Sequence, residues 1–258
     1  MHYETILATT ENAVTTITLN RPEVMNCLNA PMRAELLHAL RLAPESARVI
    51  VLTGAGRAFC SGQDLGDRRS AGDVDLERTL REEYEPLLRA IYDCPVPTIA
   101  AVGGAAAGAG ANLALACDVC IAAESAVFVQ AFARIGLIPD AGGTYWLPRQ
   151  VGFAKAMGAA LFAEKISAHQ AADWNMIWEA VPDEAFAATV RARALQLAQG
   201  PTVAYRLIKP ALRQSYGRGI DEQLTLEARL QGEAGRTRDF QEGVMAFLEK
   251  RPARYEGR

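Results

Sequence analysis

Alternating and short apolar segments near the start of the chain predict strands with a helix between them. Residues 6–10 and 14–19 alternate between apolar and polar side chains around a polar pair, which predicts a β-hairpin. A continuous apolar run at 49–53 predicts a buried strand. Between these strands, Asn29 followed by Pro31 predicts the start of an amphipathic helix, because both residue types are favoured at a helix N-terminus.

The stretch at residues 97–117 combines several of these patterns. An apolar run at 98–102 predicts a buried strand, four glycines follow, and an Ala/Leu pattern predicts a helix. Glycine and alanine leave the backbone open to a close neighbour or a ligand. The first turn of a helix carries unpaired N–H groups and the positive end of the dipole. The stretch therefore suits a negatively charged oxygen, and tight helix–sheet packing is the alternative reason for its small residues.

Two other interpretations of this stretch are disfavoured. Gly104 and Gly108 form a GxxxG pair of the kind found in membrane helices. The run is mostly Ala and Gly, however, and it contains Asn112, so its insertion into a membrane would be weakly driven. A phosphate-binding P-loop needs a lysine after its last glycine, and Ala109 stands there instead. A buried strand–loop–helix is the prediction.

The second half of the chain changes from mixed patterns to helical ones. Apolar runs at 119–122 and 126–129 predict two further strands. Residues 133–152 are rich in glycine and proline and are expected to form loops. From residue 153 onward the pattern is almost wholly helical, apart from a predicted strand at 177–181.

Length and charge narrow the possible classes of protein. A chain of 258 residues that is 50% hydrophobic can bury one large core with a smaller appendage. The alternation of elements predicts an α/β core over residues 1–200, followed by a helical region over 201–258. A net charge of −3 provides no general basic field, so no nucleic-acid partner is expected.

The cysteines and the N-terminus suggest a reducing compartment. No charged start followed by an apolar segment precedes Tyr3, so no secretory leader is expected. Five cysteines, an odd number, fit free thiols. Cys117 and Cys120 form a lone CxxC after a helix, without a second pair for zinc, and a structural role is expected. We expect a cytoplasmic protein that does not enter a membrane.

Five segments follow one another along nearly the whole chain: NRPEVMNCLN (20–29), VLTGAGRAFCSGQDL (51–65), the stretch 97–118, IGLIPDAGGTYWLPRQVG (135–152) and TRDFQEGVMAFLEKR (237–251). Together they resemble the crotonase family, also called the enoyl-CoA hydratase/isomerase superfamily. The resemblance implies an α/β protein with a crotonase-type β-β-α superhelix core. It implies a C-terminal helical trimerisation region, hence a homotrimer or a dimer of trimers. It also implies an acyl-CoA thioester as substrate, with no metal and no redox cofactor.

In this family two backbone N–H groups hold the thioester oxygen while negative charge develops on it. The resemblance places them at Gln63, after the glycine of FCSGQD, and at Ala109, at the start of the central helix. Many members have glycine at the second position, but alanine keeps the N–H available. Losing one donor of this kind typically costs about 2.7–4 kcal/mol of transition-state stabilisation.

The two glutamates of the family's hydratases are replaced here. Asn112 and Phe132 occupy the corresponding positions. An amide cannot take up a proton at neutral pH, and a phenyl ring has none to exchange. The resemblance therefore argues against water addition. Asn112 is a candidate catalytic residue that is expected, together with Phe132, to shape the acyl pocket.

Asp140 is the remaining candidate for proton transfer. Its position before AGGTYWL also fits a helix N-cap, which is the alternative role. In the resembling family, isomerases and aryl-CoA dehalogenases place their acting aspartate here. Apolar neighbours such as Ile138 and Pro139 would raise its pKa and improve it as a proton shuttle. Within the family the motifs are most similar to those of isomerases that convert ring-1,2-epoxyphenylacetyl-CoA to an oxepin-CoA and shift double bonds in unsaturated acyl-CoAs.

The resemblance also places contacts to the nucleotide part of coenzyme A. They are expected at Val24, at the backbone of Gln63, Asp64, Leu65 and Gly66, and at Lys250, which is otherwise an ordinary exposed cation. The loop at 65–74 is polar and expected to be mobile. Three other functions stay open: an enoyl-CoA hydratase, a hydrolytic dehalogenase, and a CoA-ester-binding protein that has lost catalysis.

Overall fold

The predicted N-terminal hairpin begins the first of two sheets. The computed structural model describes residues 3–66 and 75–258. In chain order the strands are β1 (Ile6–Glu11), β2 (Val14–Leu19), β3 (Val49–Gly54), β4 (Ala58–Cys60), β5 (Thr98–Val102), β6 (Ala105–Ala107), β7 (Val119–Ala123), β8 (Val127–Val129), β9 (Ile166–Ser167) and β10 (Glu179–Val181). The first sheet has the order β1-β2-β3-β5-β7-β10 and the second has the order β4-β6-β8-β9.

Parallel pairing explains why the inner strands are apolar on both sides. β1 pairs with β2 antiparallel, and β2, β3, β5, β7 and β10 are parallel neighbours. All five residues of β5 are buried, as is typical of a strand covered on both faces. In the second sheet β4, β6 and β8 are parallel, and the short β9 is antiparallel to β8.

Helices cover the sheets and complete the core. They are α1 (Ala30–Leu42), α2 (Leu76–Thr79), α3 (Glu85–Tyr92), α4 (Ala109–Ala116), α5 (Gly143–Phe162), α6 (Ala168–Asp173), α7 (Asp183–Ala198), α8 (Thr202–Gln214), α9 (Ile220–Ala234) and α10 (Arg238–Leu248). Every residue of α4 is buried, which accounts for its small, apolar sequence. α7 packs on the other face of the first sheet, where Val190 and Ala194 join Val49 and Ile99 in a second cluster.

Most predicted elements are confirmed, and several regions differ. The hairpin, the strands at 49–53 and 98–102 and the Asn29 N-cap all occur, and the Asn29 side chain accepts a hydrogen bond from the Met32 N–H at 3.0 Å. The loop prediction for 133–152 is wrong beyond residue 142, because α5 begins at Gly143 and continues past a non-helical residue, Gly152. The three-residue strand β6 was not predicted, because Ala105–Ala107 has no alternation to mark it. Most of the loop predicted at 65–74 lies outside the described residues.

The C-terminal helices are joined to the core through buried ionic contacts. The predicted boundary at residue 200 falls between α7 and α8. On α8, Lys209 and Arg213 bind the Asp118 carboxylate at 2.8 and 2.6 Å. Lys209 also donates to the Val96 carbonyl at 3.0 Å, so its ammonium group is paired despite its burial. Within the described residues, each helix is too short or too polar to cross a membrane.

Candidate active site

The turn after β4 brings Gln63 next to the start of α4. Gly62 has φ +97°, a conformation that favours glycine, and a Cβ there would lie 2.9 Å from the Ala107 carbonyl oxygen and 3.4 Å from the Ala109 nitrogen. Leu28 fixes the turn from the other side, because its N–H donates to the Gly62 carbonyl and its carbonyl accepts from the Asp64 N–H. The backbones of Gln63 and Ala109 are therefore close neighbours.

Both of these amides are free to donate. Ala109 is the first residue of α4, after the N-cap Gly108, so its N–H has no partner within the helix. Neither the Gln63 nor the Ala109 N–H has an acceptor among the residues that the structure describes. The first turn of α4 lies directly on β4: a Cβ at Gly110 would come within 2.7 Å of the Cys60 sulfur. Two N–H groups and a helix N-terminus can thus stabilise an anionic oxygen.

The side chain of Gln63 is held by two donors. Its Oε1 accepts hydrogen bonds from the Tyr84 hydroxyl and from Arg33 Nη1, the latter at 3.0 Å. Arg33 is 4% exposed, donates to the Leu28 carbonyl at 2.7 Å and pairs with Glu83 at 2.6 Å. Sequence reasoning missed this group. Arg33 was detectable as a charge beside the apolar stripe of α1, but no local pattern marked Tyr84.

Asp140 lies in a tight turn before α5. Ala141 and Gly142 both have positive φ, +46° and +80°, and Gly142 is the N-cap of α5. The Asp140 side chain makes no capping hydrogen bond, so the N-cap alternative is wrong. Its Oδ1 is buried and has no hydrogen-bond partner in the described structure. Burial raises the pKa of Asp140 to about 6 and outweighs the smaller, opposing effect of its own backbone N–H.

A cavity of about 560 Å³ opens beside this carboxyl group. Its wall includes Asp140 and four aromatic residues, Tyr84, Tyr92, Tyr145 and Trp146. The rings of Tyr145 and Trp146 meet edge to face, with centroids 4.7 Å apart. The charged side chains in its wall are the exposed Arg81, Glu85 and Arg89 and the half-buried Asp140. An apolar cavity with a few polar groups is typical of a small-molecule site.

Asn112 is buried beside Asp140, and Phe132 is buried beside the start of α4. Asn112 is fully buried, donates to the Asp140 carbonyl at 2.7 Å and accepts from Gln130 Nε2 at 2.8 Å. Its amide is thus occupied by hydrogen bonds within the protein. Phe132 is 6% exposed, and its ring lies 3.7 Å from the position of a Cβ on Gly108, beside the start of α4.

The predicted coenzyme A contacts separate into two places. Val24 lies next to the Gln63 turn, because the Ser61 N–H donates to the adjacent Met25 carbonyl at 3.0 Å. Asp64 pairs with Arg21 at 2.7 Å and accepts from the Gly66 N–H at 2.9 Å. Leu65 is exposed at the end of the same turn. Lys250, in contrast, is exposed after α10 and has no described hydrogen bond or ion pair with this turn.

Opposing effects set the charge of Asp64. Burial alone would raise the pKa of its carboxyl group, but hydrogen bonds from Arg21, from the Cys27 thiol and from the Gly66 N–H lower it below the ordinary value. Asp64 is therefore a fixed negative charge that anchors the turn.

Comparisons with known proteins relate the sequence and fold of this chain to one family. A family profile described as Enoyl-CoA hydratase/isomerase matches residues 9–258. The chain is 63% identical over its full length to a Rhodobacter capsulatus protein named a probable enoyl-CoA hydratase, with all of both chains covered. It is 47% identical to the 1,2-epoxyphenylacetyl-CoA isomerase of Escherichia coli, with 99% of each chain covered. The enoyl-CoA hydratase of Bacillus anthracis has a crystal structure that matches with a TM-score of 0.91 and 33% identity, covering 99% of this chain and 100% of that one. The chain is an enzyme of the crotonase fold and belongs to the enoyl-CoA hydratase/isomerase family.

Proposed function

We propose that this enzyme is an acyl-CoA isomerase that moves protons with a single carboxyl group, Asp140. The observation that carries the proposal is the half-buried Asp140 carboxyl in the wall of an aromatic cavity, whose Oδ1 has no hydrogen-bond partner among the described residues. A base with a pKa of about 6 is mostly ionised at neutral pH yet can hold and return a proton. The reaction uses coenzyme A as part of the substrate and needs no metal or redox cofactor.

The double-bond shift follows from one base and one oxyanion site. In a 3-enoyl-CoA, the Asp140 carboxylate takes a proton from C2, and the electron pair moves into the thioester to give a dienolate. The N–H groups of Gln63 and Ala109 stabilise the enolate oxygen. Asp140 then returns the proton to C4, which leaves a 2-enoyl-CoA with the same atoms. Water is neither consumed nor released in this reaction.

The aromatic cavity supports an aryl acyl group as the preferred substrate. In 1,2-epoxyphenylacetyl-CoA the ring bond shared with the epoxide opens to give a seven-membered oxepin. Asp140 transfers a proton from the carbon next to the thioester to a ring carbon. Tyr92 and Trp146, whose centroids lie 5.5 Å apart in the cavity wall, offer faces and edges on which such a ring can pack. The 47% identical relative bears the name of this activity.

Binding of coenzyme A and assembly complete the proposal. Val24 and the backbone at residues 63–66 are assigned to the nucleotide part, and Lys250 to its phosphates. The helical region 201–258 is assigned to a homotrimer or a dimer of trimers. Its helices expose large apolar side chains that such contacts would bury: Ile208, Leu212, Ile220, Leu224, Phe240, Val244, Phe247 and Leu248. We place the enzyme in the cytoplasm, where its five buried thiols would stay reduced.

Hydration of enoyl-CoA is the second candidate. A second carboxylate, that of Glu85, also lines the cavity, and the 63% identical relative is named a probable enoyl-CoA hydratase. Glu85 is exposed, whereas Asp140 is half-buried, so the two groups differ in environment. An acid–base pair acting on water would need both.

The test compares three substrates under one set of conditions. The wild-type enzyme is given a 3-enoyl-CoA, crotonyl-CoA and enzymatically generated 1,2-epoxyphenylacetyl-CoA, and the products are separated by chromatography and mass. We expect isomerised products of unchanged mass from the first and third, and little gain of water by the second. Faster hydration of crotonyl-CoA than isomerisation, lost in Glu85→Gln, would show a hydratase. Binding of all three esters without turnover would show a protein that has lost catalysis.

A further inference from the structure

A turn of π-helix forms part of the cavity wall. Between α2 and α3 the backbone follows a π-helix over Leu80–Tyr84. Such turns are rare and often occur at functional sites, because the extra residue changes the direction in which side chains project. Here the first and last residues of the turn, Leu80 and Tyr84, both line the cavity, together with Asp140.

Tyr84 contacts both ends of the reaction site. Its ring lines the cavity that contains the Asp140 carboxyl, and its hydroxyl donates to Oε1 of Gln63. Tyr84 is 4% exposed, and burial raises the pKa of its hydroxyl above the ordinary value. The hydroxyl therefore stays protonated and acts as a donor at neutral pH. Because Gln63 supplies a backbone amide to the oxyanion site, its side-chain anchor affects where that amide points.

The second anchor of Gln63 is independent of the cavity. Arg33 Nη1 donates to the same oxygen at 3.0 Å, and the Arg33 guanidinium is fixed by Glu83 and by the Leu28 carbonyl. Arg33 ties Gln63 to α1 and to the core. Tyr84, in contrast, ties it to the wall that an acyl group would touch. Of the donors to this oxygen in the part of the chain that the structure describes, Tyr84 lines the cavity and Arg33 does not.

We propose that Tyr84 is a positioning residue that couples the acyl cavity to the oxyanion amide of Gln63. An acyl group that packs against the Tyr84 ring presses the hydroxyl toward Gln63 and holds the Gln63 N–H on the thioester oxygen. An acyl group that leaves this wall empty loses part of that alignment. The π-helical turn is thereby a specificity element, which favours acyl groups bulky enough to reach Tyr84. This inference rests on the oxyanion role of Gln63 in the proposed function.

The first test measures polarisation of a bound carbonyl in Tyr84→Phe. The probe is phenylacetyl-CoA with a ¹³C label in the thioester carbonyl, and difference infrared spectroscopy records its stretch on the enzyme. We expect a lowered frequency with wild type and a smaller lowering with Tyr84→Phe, because the ring remains while the anchor is lost. Tyr3→Phe is the matched control: it removes a tyrosine hydroxyl that bonds His38 Nδ1 at 2.8 Å, outside the residues that line the cavity, so the carbonyl stretch should equal that of wild type.

The second test is a double-mutant cycle on turnover of a 3-enoyl-CoA. Tyr84→Phe should lower kcat about tenfold with KM nearly unchanged, since a small misplacement of a catalytic group can cost that much. Gln63→Met removes the accepting oxygen but keeps the backbone amide. If Tyr84 acts through Gln63, the double variant loses little more than Gln63→Met alone. Additive losses, or a wild-type carbonyl stretch in Tyr84→Phe, would overturn the inference.

The two proposals can fail separately. Phenylacetyl-CoA has no double bond to shift, so its carbonyl stretch tests the Tyr84–Gln63 link whether or not the enzyme is an isomerase. A wild-type enzyme that turns over none of the isomerase substrates, yet shows the expected change of stretch in Tyr84→Phe, would refute the proposed function and support this inference.

Discussion

Asp64 and Asp140 border the same site in opposite surroundings. Asp64 lies beside Gln63, pairs with Arg21 at 2.7 Å and accepts from a backbone N–H, and these bonds lower its pKa. Asp140 has a buried oxygen without a hydrogen-bond partner in residues 3–66 and 75–258, and burial raises its pKa to about 6. The side chains are chemically identical. Their different partners make Asp64 a permanent anion and Asp140 a group that can exchange a proton.

This comparison indicates that Asp140 can exchange a proton because its carboxyl group, within the described residues, lacks an ion-pair partner of the kind that Arg21 provides for Asp64. A carboxylate bound to an arginine stabilises the fold but gives up its proton too readily to carry one. An unpaired, half-buried carboxylate lowers the stability of the fold, and the surrounding residues keep Asp140 in this position. The Asp140 carbonyl, rather than its carboxyl, receives the hydrogen bonds from Asn112 and from the Gly143 N–H. The structure thus fixes the backbone of Asp140 and leaves its acid free.

The largest expected effect separates the two aspartates by turnover. Asp140→Asn should lower kcat for a 3-enoyl-CoA by about 10³-fold, because an amide cannot accept the proton, while KM changes little. Asp64→Asn is the matched control, with the same chemical change on the other side of the site, and should alter KM more than kcat. Steady-state kinetics of both variants measure this. Equal losses of kcat would show that proton transfer does not depend on Asp140 alone.

The next effect concerns the backbone that carries Asp140. Asn112→Ala leaves the buried Gln130 amide without its acceptor and removes one of two donors to the Asp140 carbonyl. Ala141 at φ +46° then lacks part of the support for a strained turn. We expect a loss of about 2–3 kcal/mol in the free energy of unfolding, measured by urea denaturation. A loss below about 0.5 kcal/mol would mean that the turn containing Asp140 and Ala141 does not depend on Asn112 for its stability.

Much of the fold was predictable, because alternation marks β2, continuous apolar runs mark β3 and β5, and the Asn29–Pro31 helix start marks α1. The sequence could not mark β6 or the start of α5. β6 is three alanines that form a strand only because β4 and β8 lie on either side. α5 begins among glycines that favour loops, and packing on buried Asn112 decides its conformation.

The residues of the candidate site also fall into those that the sequence predicts and those that it does not. The turn at Gln63 and the helix start at Ala109 could be proposed as neighbours from their motifs, and the structure does bring them together. The side chains that orient these site residues could not be predicted from the motifs. Tyr84 and Gln63 are 21 residues apart, and Gln130 and Asn112 are 18 apart. Contacts at such separations depend on how strands and turns meet in three dimensions, which no local pattern records.

Stability should also distinguish the two aspartates, first at Asp64. Its lowered pKa means that its ion pair stabilises the fold above the unfolded-state pKa and that this contribution is lost as pH falls through the folded-state value. Asp64→Asn should therefore lower the free energy of unfolding at pH 7 by about 1–2 kcal/mol. Urea denaturation at a series of pH values should show the deficit shrinking below about pH 4. A pH-independent deficit would attribute the loss to packing instead.

The smallest effect has the opposite sign and lies at Asp140. Because its folded-state pKa of about 6 is above the unfolded value, the stability linked to its proton is complete at low pH and lost as pH rises through 6. Asp140→Asn carries no charge into that environment. It should be more stable than wild type by about 1 kcal/mol at pH 8, after allowance for solvent screening of a half-buried group. Unfolding curves at pH 5 and pH 8 should show this gain mainly at the higher pH. If Asp140→Asn is inactive yet more stable than wild type, the unpaired acid is kept for catalysis at the expense of stability. If it is instead less stable than wild type at pH 8, the Asp140 carboxylate has a partner in solution.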